Sequence, residues 1–276
     1  MFNPTPAIAG WFGYPLELDD RLRLIKNAGF ESVLLWWAVE SAFEPPVPRK
    51  VETAAKYGLK VENAHLQFAG VNALWEDGYE GEYYCAELMG LIAEAGVYGV
   101  PTLVVHLTRS TTPPPLSTIG LSRFLRLCAV AERANVTLAF ENLRAPQRLY
   151  DVMEKIDSDR IGVCFDAGHN HVFCPERRIC RDFASRIKAV HLHDNDGTRD
   201  AHNIPGDGTV DWTQVYHELS ASAYTGAWSL EIEHPQTEQF GKALLKWEDD
   251  PYYGMGPEEY LHKAFLAHQK LVSGEL

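Results

Sequence analysis

Six residues able to bind a metal ion, His65, His106, Glu141, Asp166, His191 and Glu231, each stand at the end of a short apolar run rich in β-branched residues. Carboxylates and imidazoles are the donors that hold Mn²⁺, Mg²⁺, Co²⁺ or Zn²⁺. Any one of the six alone is as well explained by a hydrogen bond to a neighbour. Together they are not, because accidental placement would scatter them over both ends of the runs. Several charges buried near one axis would also be costly without a cation among them.

Further polar residues cluster close by. The segment His191-Leu192-His193-Asp194-Asn195-Asp196 is followed by Asp200, His202 and the turn Pro205–Trp212, and His169 stands three residues after Asp166. His193 and Asp194 either join such a site or orient its members. Glu40 and Glu44 follow the second run and Arg109 the fourth, where they can reach sugar hydroxyls or a phosphate, or simply remain solvated. Trp11, Phe12, Trp36, Trp37, Phe68 and Trp75 lie near the same connections; they either keep water from a pocket or belong to ordinary packing.

The elements that must position these residues alternate. The apolar runs are Ala7–Phe12, Ser32–Trp36, Lys60–His65, Thr102–His106, Thr137–Glu141, Ile161–Asp166, Ile187–His191 and Trp228–Ile232. Between them lie amphipathic stretches such as Leu18–Ala28, Tyr83–Tyr98, Leu121–Ala134, Arg148–Ile156 and Glu258–Val272, with apolar residues at three- and four-residue spacing. Eight strands alternating with helices predict an α/β (β/α)8 barrel whose strand C-termini converge on one face. Gly29, Gly58 and Gly99 fall where a helix should end before the next strand. The longer connections follow strands two, three, four, seven and eight, on the face where such barrels carry their sites. No linker-like stretch divides the chain, so residues 1–276 are expected to form one domain.

Composition narrows the partners. A formal charge of −13 disfavours ligands held mainly by neutralising phosphates, so long nucleic acids are poor candidates. Five cysteines with no CxxC pair suit reduced thiols. No apolar run approaches the roughly 18 residues that would span a bilayer, and Met1–Gly10 has no leader-like pattern. The expectation is a cytoplasmic protein without membrane contact, and a homo-oligomer stays open.

Taken with Glu141-Asn142, Asp166-Ala167-Gly168-His169 and Leu230-Glu231, the His191–Asp196 and Pro205–Trp212 segments resemble the xylose isomerase-like barrel superfamily over nearly the whole chain. That superfamily contains sugar phosphate isomerases, ketose 3-epimerases and endonuclease IV. The resemblance to the epimerase branch implies one Mn²⁺, Mg²⁺ or Co²⁺ held by Glu141, Asp166, His191 and Glu231. Glu141 and Glu231 would exchange a proton at carbon through an enediolate, and His169 would contact hydroxyls or a second metal.

The resemblance to endonuclease IV implies a trinuclear zinc site on His65, His106, Glu141, Asp166, His169, His191, Asp200, His202 and Glu231. The acidic charge and the segments around His191 and Pro205 favour a small sugar or polyol over DNA. A metal-dependent dehydratase or lyase on the same barrel is the remaining alternative. A pocket drawing on Trp11, Trp36, Phe68, Trp75 and Arg109 is expected, and no glycine loop near strands seven and eight offers a phosphate cradle.

Overall fold

Thr137-Leu138-Ala139-Phe140-Glu141 shows how the architecture arises, because side chains alternate faces along a strand. Leu138 and Phe140 join the large hydrophobic core beneath the helices, whereas Ala139 belongs to a separate small cluster with Val104, Cys164 and Ala189. The small cluster marks the barrel interior. Glu141, His106, Asp166 and His191 each lie two residues beyond a member of it, on the same inward face. The sequence alternation therefore aims all four along the barrel axis.

A computed structural model describes residues 4–38, 45–235 and 251–276; Glu40 and Glu44 lie outside the described residues. The first half runs β1 (Pro6–Ala9), α1 (Leu18–Ala28), β2 (Ser32–Trp37), α2 (Val47–Lys56), β3 (Lys60–Leu66), α3 (Tyr79–Val97), β4 (Thr102–Val105) and α4 (Thr118–Ala134). The second half runs β5 (Thr137–Glu141), α5 (Pro146–Lys155), β6 (Ile161–Asp166), α6 (Ala167–Phe173), α7 (Ile179–Asp182), β7 (Ile187–Leu192), α8 (Trp212–Ala221), β8 (Trp228–Leu230) and α9 (Pro257–Ser273). The eight strands close into one barrel in sequence order, and every neighbouring pair is parallel.

Three strands stop short of the expected bounds. β1 ends at Ala9 rather than Phe12, β4 at Val105 and β8 at Leu230, so His106 and Glu231 are the first residues of their loops. The Gly10 N–H still donates to the Leu34 carbonyl of β2 at 2.8 Å, but by Phe12 the chain has turned toward His234, whose backbone N–H donates to the Phe12 carbonyl. Gly29, Gly58 and Gly99 all have positive φ, as a left-handed helix exit requires. Ser117 caps α4 by accepting from the Gly120 N–H at 3.0 Å.

No helix among the described residues is long and apolar enough to cross a membrane. All five cysteines are buried and unpaired.

Candidate metal and substrate site

Register brings the site together. Asp166 and His191 are direct partners across β6 and β7, and Glu141 lies opposite Cys164 on β6. The Asn142 side chain then clamps Asp166 at both ends of its backbone. Its amide donates to the Asp166 carbonyl and its oxygen accepts from the Asp166 N–H, both at 2.8 Å. Asp166 also caps α6, its Oδ1 accepting from the His169 N–H at 2.6 Å. The Asp-x-x-His spacing thus seats His169 on the first turn of that helix. Gly168 is required there, because a Cβ would lie 2.1 Å from the His193 ring.

Around Glu141 the donors are close and buried. Glu141 Oε2 lies 2.7 Å from His106 Nε2 and 3.4 Å from His65 Nε2. His191 Nδ1 lies 3.0 Å from Glu141 Oε1 and 3.2 Å from Glu231 Oε2. Four groups of donors are close enough to hold an ion: His65, His106 and Glu141; Glu141, Cys164 and His191; Glu141, Asp166, His191 and Glu231; and His169, His193, Asp200 and His202. Glu141 is common to three of them.

The imidazole hydrogen bonds test whether a cation fits. His65 Nδ1–H donates to the Leu66 carbonyl at 2.8 Å, and His202 Nδ1–H donates to the Glu231 carbonyl at 2.7 Å. Each then presents its Nε2 to a carboxylate oxygen, Glu141 Oε2 for His65 and Asp200 Oδ1, at 3.3 Å, for His202. A neutral ring facing a carboxylate in that way sets lone pair against lone pair, and a proton or a cation must sit between them. Asp166 Oδ2, Asp200 Oδ1, His106 Nδ1 and His169 Nδ1 are buried with no hydrogen-bond partner. Donor chemistry and unpartnered oxygens both suit a divalent ion.

Protonation follows the same logic. Burial opposes ionisation of Glu141, but hydrogen bonds from His106, His191 and His65 outweigh it and hold its pKa well below the usual range. Burial likewise opposes charge on His169, yet Asp166 and Asp200 lift it to about 9. His202 is raised well above its ordinary value, because Asp200, Glu231 and Asp166 overcome the burial penalty. His106 is the exception, since burial pushes it down to about 4 despite its contact with Glu141. The carboxylates around His169 and His202 thus favour positive charge at that side of the site.

The loop after β7 is held by Asp194, buried at 0% exposure. Its carboxylate accepts from the N–H groups of Asn195, Gly206 and Val210 and from Trp212 Nε1 at 2.7 Å. Asp194 and Asn203 also exchange backbone hydrogen bonds at 2.8 and 2.9 Å. This framework carries Asp200 and His202. His202 takes a left-handed backbone, φ 49°, a strained choice for a residue with a Cβ. Its ring stacks on His193 at 3.9 Å.

A cavity of about 460 Å³ opens above the donors, lined by His65, His106, Glu141, His169, Asp200, His202 and Glu231 together with Phe68 and Arg109. Asp166 and His191 lie beneath it, each fully buried. Trp36 is outside the lining and backs His65, with ring centroids 5.4 Å apart. Trp11 is also outside the lining, its indole donating to Glu233 at 3.1 Å. Trp75 points into the core against Phe124 and donates to the Leu107 carbonyl, while Phe12 and Trp37 are fully buried core residues. Sequence reasoning passed over Thr108, Ser110, Leu143 and Arg144, which also line the cavity. For Arg144 the available signal was its place three residues after Glu141.

Residues 22–251 match the description of the xylose isomerase-like TIM barrel family. The chain belongs to that family. Among curated relatives of this xylose isomerase-like barrel is the uncharacterized protein y4fM of Sinorhizobium fredii (strain NBRC 101917 / NGR234). It is 33% identical over 252 residues, spanning 76% of this chain and 79% of the relative.

Solved structures with the same fold include D-psicose 3-epimerase from Clostridium cellulolyticum H10, determined with D-tagatose. Its TM-score is 0.75 at 15% identity, covering 98% of this chain and 99% of that one. Another is the IOLI protein with a binding zinc atom, with TM-score 0.75, 16% identity and 99% of both chains covered. Sugar epimerases therefore stand among the structural neighbours of this barrel.

Proposed function

We propose that this barrel is a divalent-metal-dependent isomerase or epimerase of a small sugar or polyol, with Glu141 and Glu231 as the proton carriers. The observation that carries the reading is that both glutamates reach the same nitrogen, His191 Nδ1, at 3.0 and 3.2 Å. Glu141, Asp166, His191 and Glu231 would hold the ion, and three carboxylates with one imidazole suit Mn²⁺, Mg²⁺ or Co²⁺. When bound, such an ion supplies a Lewis acid that polarises a carbonyl and its neighbouring hydroxyl.

The chain's own groups do the rest. One glutamate takes the proton from the carbon beside the carbonyl, and the other returns it to give the epimer or isomer through an enediolate. Glu231 keeps 19% of its side chain exposed while Glu141 keeps 1%, so Glu231 is the one open to a ligand entering from the cavity. The Glu141 carboxylate is screened from water and held ionised by the imidazoles around it, so it stands ready to accept a proton without competition from solvent. His65, His106, His169 and His202 line the cavity and offer ring N–H groups or lone pairs to hydroxyls.

A second reading has its own observation. The His65–His106–Glu141 and Glu141–Asp166–His191–Glu231 groups share Glu141, and the His169–His193–Asp200–His202 group adjoins them through His169 Nδ1, 3.4 Å from Asp166 Oδ2, as a trinuclear zinc nuclease of the endonuclease IV type would need. The charge of −13 weighs against a DNA backbone as ligand. A dehydratase or lyase would begin with the same proton abstraction and is separated by its product.

The test is turnover of ketoses by chelator-treated protein reconstituted with Mn²⁺, Co²⁺ or Mg²⁺ in deuterated water. The expected result is activity only after metal addition, with deuterium appearing at the epimerised carbon. Incision of abasic-site DNA by zinc-loaded protein, with no sugar turnover, would replace this reading with the second.

A further inference from the structure

The mouth of the cavity differs in charge from its floor. Below are the carboxylates of Glu141, Asp200 and Glu231; above, two arginines from neighbouring loops, Arg109 after β4 and Arg144 after β5, line the same space. Arg144 is already engaged, with its guanidinium 4.3 Å above the Phe173 ring and 3.3 Å from Asp200. Arg109 is not, because no carboxylate among the described residues pairs with its guanidinium.

Arg109 is nevertheless held in place. The Asn72 side chain accepts from the Arg109 N–H at 2.8 Å and donates to its carbonyl at 3.4 Å. Its guanidinium lies 6.0 Å from the Phe68 ring centroid, and Phe68 stacks in turn on His106 at 4.1 Å. Arg109 is exposed at the cavity, so its guanidinium stands in water over a clamped backbone, free to exchange that water for a ligand. That is a sound way to present a fork of N–H donors to an oxyanion. Thr108 and Ser110, on either side of Arg109, also line the cavity and carry hydroxyls able to complete such a seat.

We propose that Arg109, assisted by Arg144, receives an anionic group on the substrate, so that the barrel acts on a sugar phosphate or sugar acid rather than a neutral sugar. This rests on the sugar reading above. The glutamates and the reacting carbon lie at the floor, and the anionic end of the molecule points to the mouth. No bound glycine loop is needed, since side chains supply the charge.

Calorimetric titration of the Mn²⁺-loaded full chain near neutral pH tests this with D-fructose, D-fructose 6-phosphate, D-glucuronate and inorganic phosphate, in wild type and Arg109→Gln. The wild type should bind at least one anionic sugar about tenfold or more tightly than D-fructose, the range expected of a charge-assisted hydrogen-bonded pair. Arg109→Gln should erase that advantage while leaving manganese content unchanged. Comparison of the phosphate and glucuronate arms identifies the anion.

Turnover of a neutral ketose with no preference for its anionic counterpart would overturn the anion seat and leave the isomerase reading standing. Phosphate binding that survives Arg109→Gln would also overturn it, because the anion would then sit elsewhere. Conversely, Arg109-dependent binding of inorganic phosphate in a protein that turns over no sugar would support the seat while removing the isomerase.

Discussion

The two ends of the barrel solve opposite problems. At the N-terminal end of the strands, Phe30 packs edge-on against Phe265 at 5.3 Å, and His268 Nε2–H donates to the Trp228 carbonyl at 3.0 Å. The Glu62 carboxylate is partnered there too, by the Ala227 N–H at 3.0 Å and the Tyr224 hydroxyl at 3.3 Å. At the C-terminal end, carboxylates and imidazoles crowd together, yet Asp166 Oδ2, Asp200 Oδ1 and His106 Nδ1 make no hydrogen bond. Ser32 Oγ and Trp228 Nε1 are unpartnered at the N-terminal end too, but only at the C-terminal end are such atoms carboxylates and imidazoles gathered around a cavity, where a ligand can relieve the cost.

The largest effect that would sharpen this contrast lies in the glutamates. Glu141→Gln and Glu231→Gln should each cut turnover by about two to four powers of ten with the fold retained, as removal of a general acid or base does. Rate and metal occupancy are to be measured together. Near-normal turnover with metal bound would reduce that glutamate to a ligand.

At the opposite end, Phe30→Ala should cost about 3–5 kcal/mol of stability by emptying a buried aromatic site. Denaturant titration reads that loss, and the metal content of the folded fraction should not change. A mutation here that removed the metal would show the two ends to be coupled.

A smaller effect comes from His268, whose burial lowers its pKa from the ordinary 6.5 to about 4. The unfolded chain then takes up the proton first, so the stability held by neutral His268 is complete above about 6.5 and is lost as pH falls toward 4. The loss reaches roughly 3 kcal/mol at most. His106 adds a similar slope, so His268→Gln should flatten only part of it in unfolding measured on metal-free protein. An unchanged slope would show that His268 accepts its proton freely.

Much of this arrangement is legible in the residues. Alternation along each strand puts Glu141, Asp166 and His191 on the inward face, and strand C-termini in a parallel barrel must meet. The Asp-x-x-His spacing carries His169 with them. What is not legible is decided by contacts distant in sequence. Trp75 sits in a plausible loop, yet its indole turns to the Leu107 carbonyl and the core.

Nothing near Asp194 announces that its carboxylate will gather four donors from residues as far off as Trp212. Arg109 reads as a loop charge and Arg144 goes unnoticed, and only their surroundings show that Arg144 is paired with Asp200 while Arg109 is not. Strand ends at β1, β4 and β8 were likewise set by where pairing stops rather than by where apolar residues stop.

The central claim is that the C-terminal end is a cation site. Anomalous scattering from crystals of the Mn²⁺-loaded protein, collected at the manganese edge, tests it most directly. The account predicts a peak bounded by Glu141, Asp166, His191 and Glu231 that disappears in His191→Ala. A fully loaded crystal with no peak among those four residues, or with metal only at His169, Asp200 and His202, would contradict it.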